Sequence, residues 1–261
     1  MSPPFPTVLQ IAVEAARAAG AIQLARFNTV VEIRKKGAVD LVTEVDTACE
    51  RVIREIIGSH APGDAILGEE GGLTGSGGSL WIVDPLDGTT NFAHAVPVFC
   101  VSIAHESDGE VDAAVVYDPM RDELFAGELG RGATLNGVRL SVTVRRELDD
   151  CLLATGFAYD YRTSPRHNFD AFAALTRASC GVRRMGAAAL DLCYVAAGRF
   201  DGFWELGLKP WDTAAGALLI REAGGTATDL RGEAYLPKMP DIVASNGFIH
   251  QAMLGTLNKF F

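Results

Sequence analysis

Residues 81–92 of this chain are Trp81-Ile82-Val83-Asp84-Pro85-Leu86-Asp87-Gly88-Thr89-Thr90-Asn91-Phe92. The apolar start predicts a strand that carries Asp84 to its C-terminal end, where Pro85 is expected to stop the pairing of the strand. Asp87, Gly88 and Thr89 then form a turn, so the two carboxylates can converge on one point. Because Gly88 allows close approach to the backbone, the N–H groups of Gly88 and Thr89 are expected to face an anion. The run therefore predicts a site shared by cations and a phosphate.

Two further acids stand at the ends of predicted core elements. Glu69 ends the predicted strand 65–69 after a glycine, and Asp212 opens a helix after Trp211. Asp84 and Asp87 alone would be explained as well by capping and an Asx-turn. Four acids that meet would repel one another strongly without a counter-ion, which favours a metal site. Oxygen ligands of this kind indicate Mg²⁺, Mn²⁺ or Ca²⁺ rather than zinc or copper.

One class of phosphatase is excluded by the spacing of the acids. Phosphatases of the haloacid-dehalogenase type carry DxDxT, in which one residue separates the two aspartates. In this chain the aspartates are Asp84 and Asp87, and counting from Asp84 Leu86 stands where the second aspartate of that motif would be. An aspartyl nucleophile of that type is therefore not expected.

Composition narrows the class of protein. With 261 residues, 48% apolar and 21% charged, the chain can bury a sizeable core and is not disordered. Its 33 acidic and 23 basic residues give a charge of −10, which argues against nucleic-acid binding. The five scattered cysteines form no zinc motif and fit a reducing compartment. The sequence shows neither a signal peptide nor a membrane span, so a cytoplasmic protein is expected.

Periodicity predicts two domains. A helix is expected over 7–27, with Gln23 facing water and its apolar face formed by Leu9, Val13, Ala16, Ala19, Ile22 and Leu24. Residues 31–46 are expected to be extended chain and turn, followed by a second helix that begins at Thr43 with Asp46 as its capping acid. Strands dominate up to a charged seam at 145–150, and strands alternating with helices follow. The predicted domains are 1–150, an α+β half with the metal-binding loops, and 151–261, an α/β half that completes the active site.

The sequence resembles the inositol monophosphatase family, whose members are lithium-sensitive, magnesium-dependent phosphomonoesterases. The resemblance covers essentially the whole chain, and its motifs are LVTEVD at 41–46, GEE at 68–70, the run at 81–92, GAAALDL at 186–192 and WDTAAGA at 211–217. It implies a layered αβαβα sandwich in which an antiparallel sheet half is followed by an alternating α/β half. It also implies a homodimer.

The resemblance implies two metal sites. Glu69, Asp84 and the carbonyl of Leu86 would hold the first ion, and Asp84, Asp87 and Asp212 would hold the second. A third, weaker ion near Glu69 is usual in the family. The expected cofactor is Mg²⁺, as two to three ions, with Mn²⁺ as a possible substitute.

The resemblance also assigns the groups that face the substrate. Thr89 with Asp46 would orient the attacking water, although Asp46 could equally be only a helix cap. Gly88 and Thr89 would grip the phosphate with their N–H groups. The alcohol side would be lined by Gly186, Ala187, Ala188 and Glu205, and Glu205 could instead be a solvated surface acid. Family members commonly carry Ser or Thr at the position of Ala187, and often a proline at Ala158, so substrate identity stays open.

Three functions follow from these features. The first is hydrolysis of inositol monophosphate by an activated water, with no covalent phosphoenzyme. The second is the same chemistry on histidinol phosphate, fructose 1,6-bisphosphate or phosphoadenosine phosphate. The acidic chain argues against the doubly phosphorylated substrates. The third is a regulatory protein on the same fold that binds transcription machinery.

Overall fold

The computed structural model describes residues 6–29, 33–35 and 41–261, with backbone only at 33–35, 41 and 42. The extended segment predicted at 31–46 lies partly outside these residues. The helices are α1 Val8–Arg26, α2 Glu44–His60, α3 Thr89–Ala93, α4 Phe169–Ala178, α5 Ala188–Ala196, α6 Pro210–Glu222 and α7 His250–Leu257. The strands are β1 Ile33–Lys35, β2 Leu41–Thr43, β3 Ala65–Gly68, β4 Gly72–Thr74, β5 Ser79–Asp87, β6 Cys100–Ser107, β7 Glu110–Asp118, β8 Glu123–Glu128, β9 Gly132–Leu135, β10 Val138–Arg139, β11 Leu152–Thr155, β12 Gly181–Arg183, β13 Gly202–Glu205, β14 Thr226–Thr228 and β15 Ile242–Ser245.

Two sheets and three layers of helices form the predicted αβαβα sandwich. An eight-stranded sheet has the order β10-β9-β8-β7-β6-β5-β3-β4 and is antiparallel except where β3 pairs with β5. A five-stranded sheet has the order β12-β11-β13-β15-β14, in which β11 pairs in parallel with β12 and β13. The helices α1 and α2 cover the first sheet, α5 and α6 lie between the sheets, and α4 and α7 cover the second. The predicted fold class is confirmed. The boundary between residues 150 and 151 stays a prediction.

The buried face of α1 differs from the predicted one. Its buried residues are Ile11, Ala12, Ala15, Ala16, Ala19, Gly20 and Gln23, whereas Leu24 is 46% exposed. The face is built from small side chains because the helix approaches the sheet closely. A Cβ on Gly20 would lie 2.5 Å from the Tyr117 ring. The periodicity of the larger apolar side chains indicated a different face of the helix. The prediction that Gln23 faces water is wrong, because Gln23 is buried.

By length and composition alone, α1 is also long and apolar enough to cross a membrane. In the described structure it packs against α2, β6 and β7, as the core helix of a globular protein does.

An irregularity in β5 positions the acidic residues. Pro85 does not end the strand as predicted, because β5 continues to Asp87. Instead, the register shifts: Asp84 lies opposite Ser102 and Asp87 lies opposite Cys100. Two residues of β5 therefore face one residue of β6, which is a β-bulge. A bulge turns the strand locally and places both aspartates near the same edge of the sheet.

Candidate active site

Asp84 occupies the centre of the acidic site. It is 2% exposed, and its Oδ1 accepts a hydrogen bond from the Leu86 N–H at 3.0 Å. Burial, followed by the charges of Glu69, Asp87 and Asp212, raises the pKa of Asp84 well above its ordinary value. The four acids predicted from the sequence therefore act on one another electrostatically in the folded chain.

Asp87 links this centre to the helix layer between the sheets. Its Oδ2 accepts a hydrogen bond from the N–H of Ala189, in the first turn of α5, at 2.8 Å. The Cys100 thiol lies 3.7 Å from the same oxygen. Burial raises the pKa of Asp87 to about 6, against the opposing effect of these hydrogen bonds. An acid at a helix N-terminus is favourable, so Asp87 has a structural partner as well as acidic neighbours.

Asp212 lies in the first turn of α6. Its Oδ2 accepts a hydrogen bond from the Lys209 N–H at 2.7 Å, which fixes the side chain at the start of the helix. Burial, together with the charges of Asp87 and Glu69, raises the pKa of Asp212 to about 8. The helix that begins after β13 thus delivers its acid to the acids of β5.

Glu69 follows β3 in a loop that Glu50 braces from α2. The buried Glu50 carboxylate accepts hydrogen bonds from the N–H groups of Glu70 at 2.7 Å and Gly71 at 2.8 Å. Arg54 donates to the same carboxylate at 2.8 Å. Glu50 is not among the predicted site residues; the only signal in the sequence is an acid four residues before an arginine, a spacing at which helix residues pair.

Asp46 and Thr89 meet as the resemblance implies. The Asp46 Oδ2 atom accepts hydrogen bonds from the Thr43 N–H at 2.8 Å and hydroxyl at 2.6 Å, while Oδ1 lies 2.9 Å from the Thr89 hydroxyl. The same hydroxyl lies 2.9 Å from the Leu86 carbonyl oxygen, and its single proton serves one acceptor at a time. Burial raises the pKa of Asp46. Asp46 thus caps α2 and contacts Thr89 at once.

Gly88 makes the turn between β5 and α3. Its φ is +91°, and a Cβ there would lie 2.8 Å from the Val98 carbonyl oxygen. Both facts restrict the position to glycine. The turn places the backbone of Gly88 and Thr89 directly after Asp87, where the predicted phosphate contacts would lie.

The residues predicted to face the alcohol part of the substrate are held by hydrogen bonds from α3, which follows the Gly88 turn. Gly186 has φ +84°, and the Arg184 guanidinium would lie 2.5 Å from a Cβ there. The Asn91 amide donates to the carbonyls of Met185 at 2.9 Å and Val98 at 2.8 Å, so α3 holds the segment that leads into α5. Asn91 lay inside the quoted run, but its partner was too distant in sequence to be predicted. Ala187 and Ala188 are buried.

Glu205 ends β13 and is buried rather than solvated. Burial, followed by the charge of Asp212, raises the pKa of Glu205 to about 8, and Arg184 opposes the shift. A Cβ on Gly156 would overlap its carboxyl group, so only glycine leaves room for it. Asp191 on α5 is a further buried acid that was not predicted as a site residue; burial, followed by the charge of Glu205, raises the pKa of Asp191 well above its ordinary value.

The donor set fits a hard divalent cation in its chemistry. The candidate ligands offer only oxygen atoms, from Glu69, Asp84, Asp87 and Asp212. The charges of the other three acids act on Asp84 and raise its pKa. Within the described ranges 6–29, 33–35 and 41–261, no three His, Cys, Asp or Glu side chains stand close enough to hold an ion as they are. The predicted roles of the individual residues stay predictions.

Comparison with known proteins agrees with this geometry. A sequence profile described as the inositol monophosphatase family matches residues 6–260. The chain belongs to the inositol monophosphatase family. The chain is 48% identical to the Nus factor SuhB of Pseudomonas aeruginosa over 259 residues, which cover 96% of this chain and 95% of the relative. It is 46% identical to an inositol-1-monophosphatase of Synechocystis, over 95% of this chain and 87% of the relative.

Solved structures of family members share the fold. An inositol monophosphatase from Anabaena superposes with a TM-score of 0.89 at 45% identity, over 97% of this chain and 96% of that one. The extragenic suppressor protein suhB of Bartonella henselae superposes with a TM-score of 0.92 at 40% identity, over 97% and 99% of the two chains. The relatives of this chain therefore carry two kinds of name, inositol monophosphatase and SuhB.

Proposed function

We propose that this protein is a Mg²⁺-dependent phosphomonoesterase that hydrolyses inositol monophosphate to inositol and phosphate. The observation that carries the proposal is the set of half-buried carboxylates, Glu69, Asp87 and Asp212, whose charges act on the buried Asp84 and destabilise its charged form. Relatives named inositol-1-monophosphatase support the substrate. We also propose that the protein is cytoplasmic and forms a homodimer.

The acids would hold the cations in two groups. Glu69, Asp84 and the Leu86 carbonyl would hold one ion, and Asp84, Asp87 and Asp212 the other. Two or three Mg²⁺ ions, or Mn²⁺ in their place, supply positive charge that neutralises the phosphate dianion and makes water more acidic. The repulsion among the buried acids is the force that such charge would relieve.

Thr89 and Asp46 would orient the attacking water. With its proton donated to Asp46 Oδ1, the Thr89 hydroxyl oxygen is left to accept a hydrogen bond from water. The raised pKa of Asp46 makes its carboxylate a stronger base, which favours that direction of the hydrogen bond. The N–H groups of Gly88 and Thr89 would donate to the phosphate oxygens.

The alcohol would lie between the start of α5 and Glu205. Gly186, Ala187 and Ala188 bring the backbone close, and Glu205 accepts hydrogen bonds from ring hydroxyls. A carboxylate in this position favours polyols over leaving groups that cannot donate.

Phosphate release from a panel of substrates tests the proposal. Inositol 1-phosphate, histidinol phosphate, fructose 1,6-bisphosphate and phosphoadenosine phosphate are assayed with Mg²⁺ and with EDTA. We expect Mg²⁺-dependent release that is fastest from inositol 1-phosphate and inhibited by lithium, uncompetitively with substrate. Faster release from another member of the panel would overturn the substrate, and release that is unaffected by EDTA would overturn the role of the metal.

A second role is supported by the relatives named Nus factor SuhB. We propose that the chain also acts as a partner-binding factor of that kind, independently of its acidic site. The test is replacement of the Escherichia coli relative by this chain, either unchanged or as Asp84→Asn. Equal complementation by both forms would separate the two roles, whereas failure of both would overturn the second.

A further inference from the structure

Gln23 is a buried amide on α1, directly behind the acidic site. It is 0% exposed. Its Nε2 donates a hydrogen bond to the Pro85 carbonyl oxygen at 2.8 Å and lies 3.4 Å from the Cys100 carbonyl oxygen. Its Oε1 is buried without a hydrogen-bond partner among the described residues. Burying an unpaired amide oxygen is unfavourable, so packing alone does not explain a glutamine here.

The two carbonyls belong to the bulge in β5. Asp84 pairs with Ser102 and Asp87 pairs with Cys100, so the regular ladder is interrupted at Pro85. An interrupted ladder leaves backbone groups that need other partners. The Gln23 amide supplies a donor to one carbonyl on each strand at this interruption.

The peptide unit between Pro85 and Leu86 transmits this contact to Asp84. A peptide unit is planar, so fixing its carbonyl oxygen also fixes the direction of its N–H. On one side Gln23 holds the Pro85 oxygen, and on the other the Leu86 N–H donates to Asp84 Oδ1 at 3.0 Å. Gln23 and the Asp84 carboxylate are thus the two ends of one rigid hydrogen-bonded chain.

We propose that Gln23 is a positioning residue of the divalent-cation site, acting on Asp84 through the Pro85–Leu86 peptide unit. The inference rests on the proposed function, because it assigns Gln23 to the cation site proposed there. Groups that orient metal ligands in this way typically change metal affinity by about 10–100-fold when they are removed. The orientation of Leu86 also affects its carbonyl oxygen, which lies 2.9 Å from the Thr89 hydroxyl.

The variant Gln23→Met tests the inference, because methionine keeps the length and lacks the donor. Binding of Mn²⁺ to the EDTA-stripped full chain is measured by titration calorimetry. We expect the dissociation constant to rise about tenfold. The Mg²⁺ concentration that gives half-maximal hydrolysis is expected to rise by the same factor, with little change in kcat at saturating Mg²⁺.

Ile11→Val is the matched control. Ile11 is also buried on α1, and it lies twelve residues from Gln23, about 18 Å along the helix. We expect wild-type affinity for Mn²⁺ from this control, even where its melting temperature falls as far as that of Gln23→Met. A similar loss of affinity in the control would show a merely structural effect and overturn the inference.

The remaining outcomes separate this inference from the proposed function. Unchanged Mn²⁺ affinity in folded Gln23→Met overturns the role of Gln23 and leaves the phosphatase proposal intact. Wild-type protein that binds Mn²⁺ but releases no phosphate overturns the proposed function, while weaker binding by Gln23→Met still supports the inference. If Gln23→Met does not fold, Gln23→Leu, which is apolar and also lacks the donor, is measured in the same way.

Discussion

Asp84 and Asp201 are both buried aspartates, yet their surroundings are opposite. Asp201 is 0% exposed, and its carboxylate accepts hydrogen bonds from the Thr143 hydroxyl at 2.5 Å and from Arg145 at 3.0 Å. The Leu152 N–H donates to its other oxygen at 2.8 Å. The charge of Asp201 is therefore balanced by the protein, and its role is to join the segment 143–152 to the second sheet.

Asp84 has the same degree of burial without that compensation. It accepts a hydrogen bond from the Leu86 N–H, and three carboxylates act on its charge. A buried acid costs free energy unless a partner compensates for its lost hydration. The difference teaches that stability explains Asp201, whereas the uncompensated burial of Asp84 is what the proposed cation site would account for.

The largest expected effect comes from exchanging each aspartate for asparagine. Asp84→Asn removes the acid assigned to both cations, and we expect kcat to fall by about 10²–10³-fold. Because the change removes one of four mutually repelling charges, the metal-free variant should melt no lower than wild type. The measurements are Mg²⁺-dependent phosphate release and thermal unfolding in EDTA. More than a few per cent of wild-type kcat would rule out the bridging role.

Asp201→Asn should show the reverse pattern. The loss of hydrogen bonds to a charged group is expected to lower the free energy of unfolding by about 1.5–3 kcal/mol. Since Asp201 lies outside the acidic site, kcat should stay within about twofold of wild type. If the two variants behaved alike in both assays, the contrast between the two regions would not hold.

Glu205 offers a smaller, substrate-specific effect. Glu205→Gln should raise KM for inositol monophosphate by about tenfold, as for loss of about 1.4 kcal/mol of hydrogen bonding, and leave KM for p-nitrophenyl phosphate unchanged. Gly156→Ala should have the same effect, because its Cβ would displace the Glu205 carboxyl group. Gly58→Ala is the control, since a Cβ at Gly58 meets nothing within 4 Å. Equal losses on both substrates would show that Glu205 supports the loop and does not contact the alcohol.

The smallest expected effect concerns the brace behind Glu69. Glu50→Gln should cost about 1–3 kcal/mol of stability and raise the Mg²⁺ concentration for half-maximal activity several-fold. The matched control is Glu55→Gln on the same helix, since Glu55 pairs with Arg51 at the surface. An exposed pair of this kind contributes at most about 1 kcal/mol. Identical metal dependence in both variants would limit Glu50 to a structural role.

The sequence predicted the acids that stand at the ends of strands and helices. Asp84, Asp87 and Asp212 each follow or open a clearly periodic element, so their convergence could be anticipated from the topology of a layered α/β fold. Asp46 was predicted both as a cap and as the partner of Thr89, and the structure has both contacts. The layered αβαβα fold was implied by the resemblance to the inositol monophosphatase family, which the motifs and their order carry.

Contacts between distant segments were not predictable in this way. Gln23 was assigned to water because the large apolar residues of α1 defined the wrong face, whereas close packing against Tyr117 selects the small ones. Glu50 and Asp191 are acids on helix faces that periodicity alone does not distinguish from solvated ones. Their burial depends on which sheet each helix covers, which is a property of the tertiary fold.

The stability of the metal-free protein is expected to depend on pH, because several of its acids have raised pKa values. The raised pKa values of Glu205 and Asp212, about 8 each, mean that the folded chain retains protons that the unfolded chain releases near pH 4. This stabilising contribution is present at low pH and is lost as pH rises through 8. His250, whose pKa burial lowers, acts in the opposite direction below about pH 6.5, so the comparison is made above that value.

Thermal unfolding between pH 6.5 and 8.5, in EDTA and in saturating Mg²⁺, is the most direct test of the claim that the buried acids form a cation site. In EDTA the melting temperature should fall by on the order of 5 °C across this range, mostly below pH 8, because the unfolded chain has released the protons that Glu205 and Asp212 still hold in the folded chain. In Mg²⁺ it should be higher at every pH and depend less on pH, because the cations favour the charged form of Asp212, whereas Glu205 is not among the proposed ligands. Parallel curves in EDTA and Mg²⁺, or no stabilisation by Mg²⁺, would contradict the account.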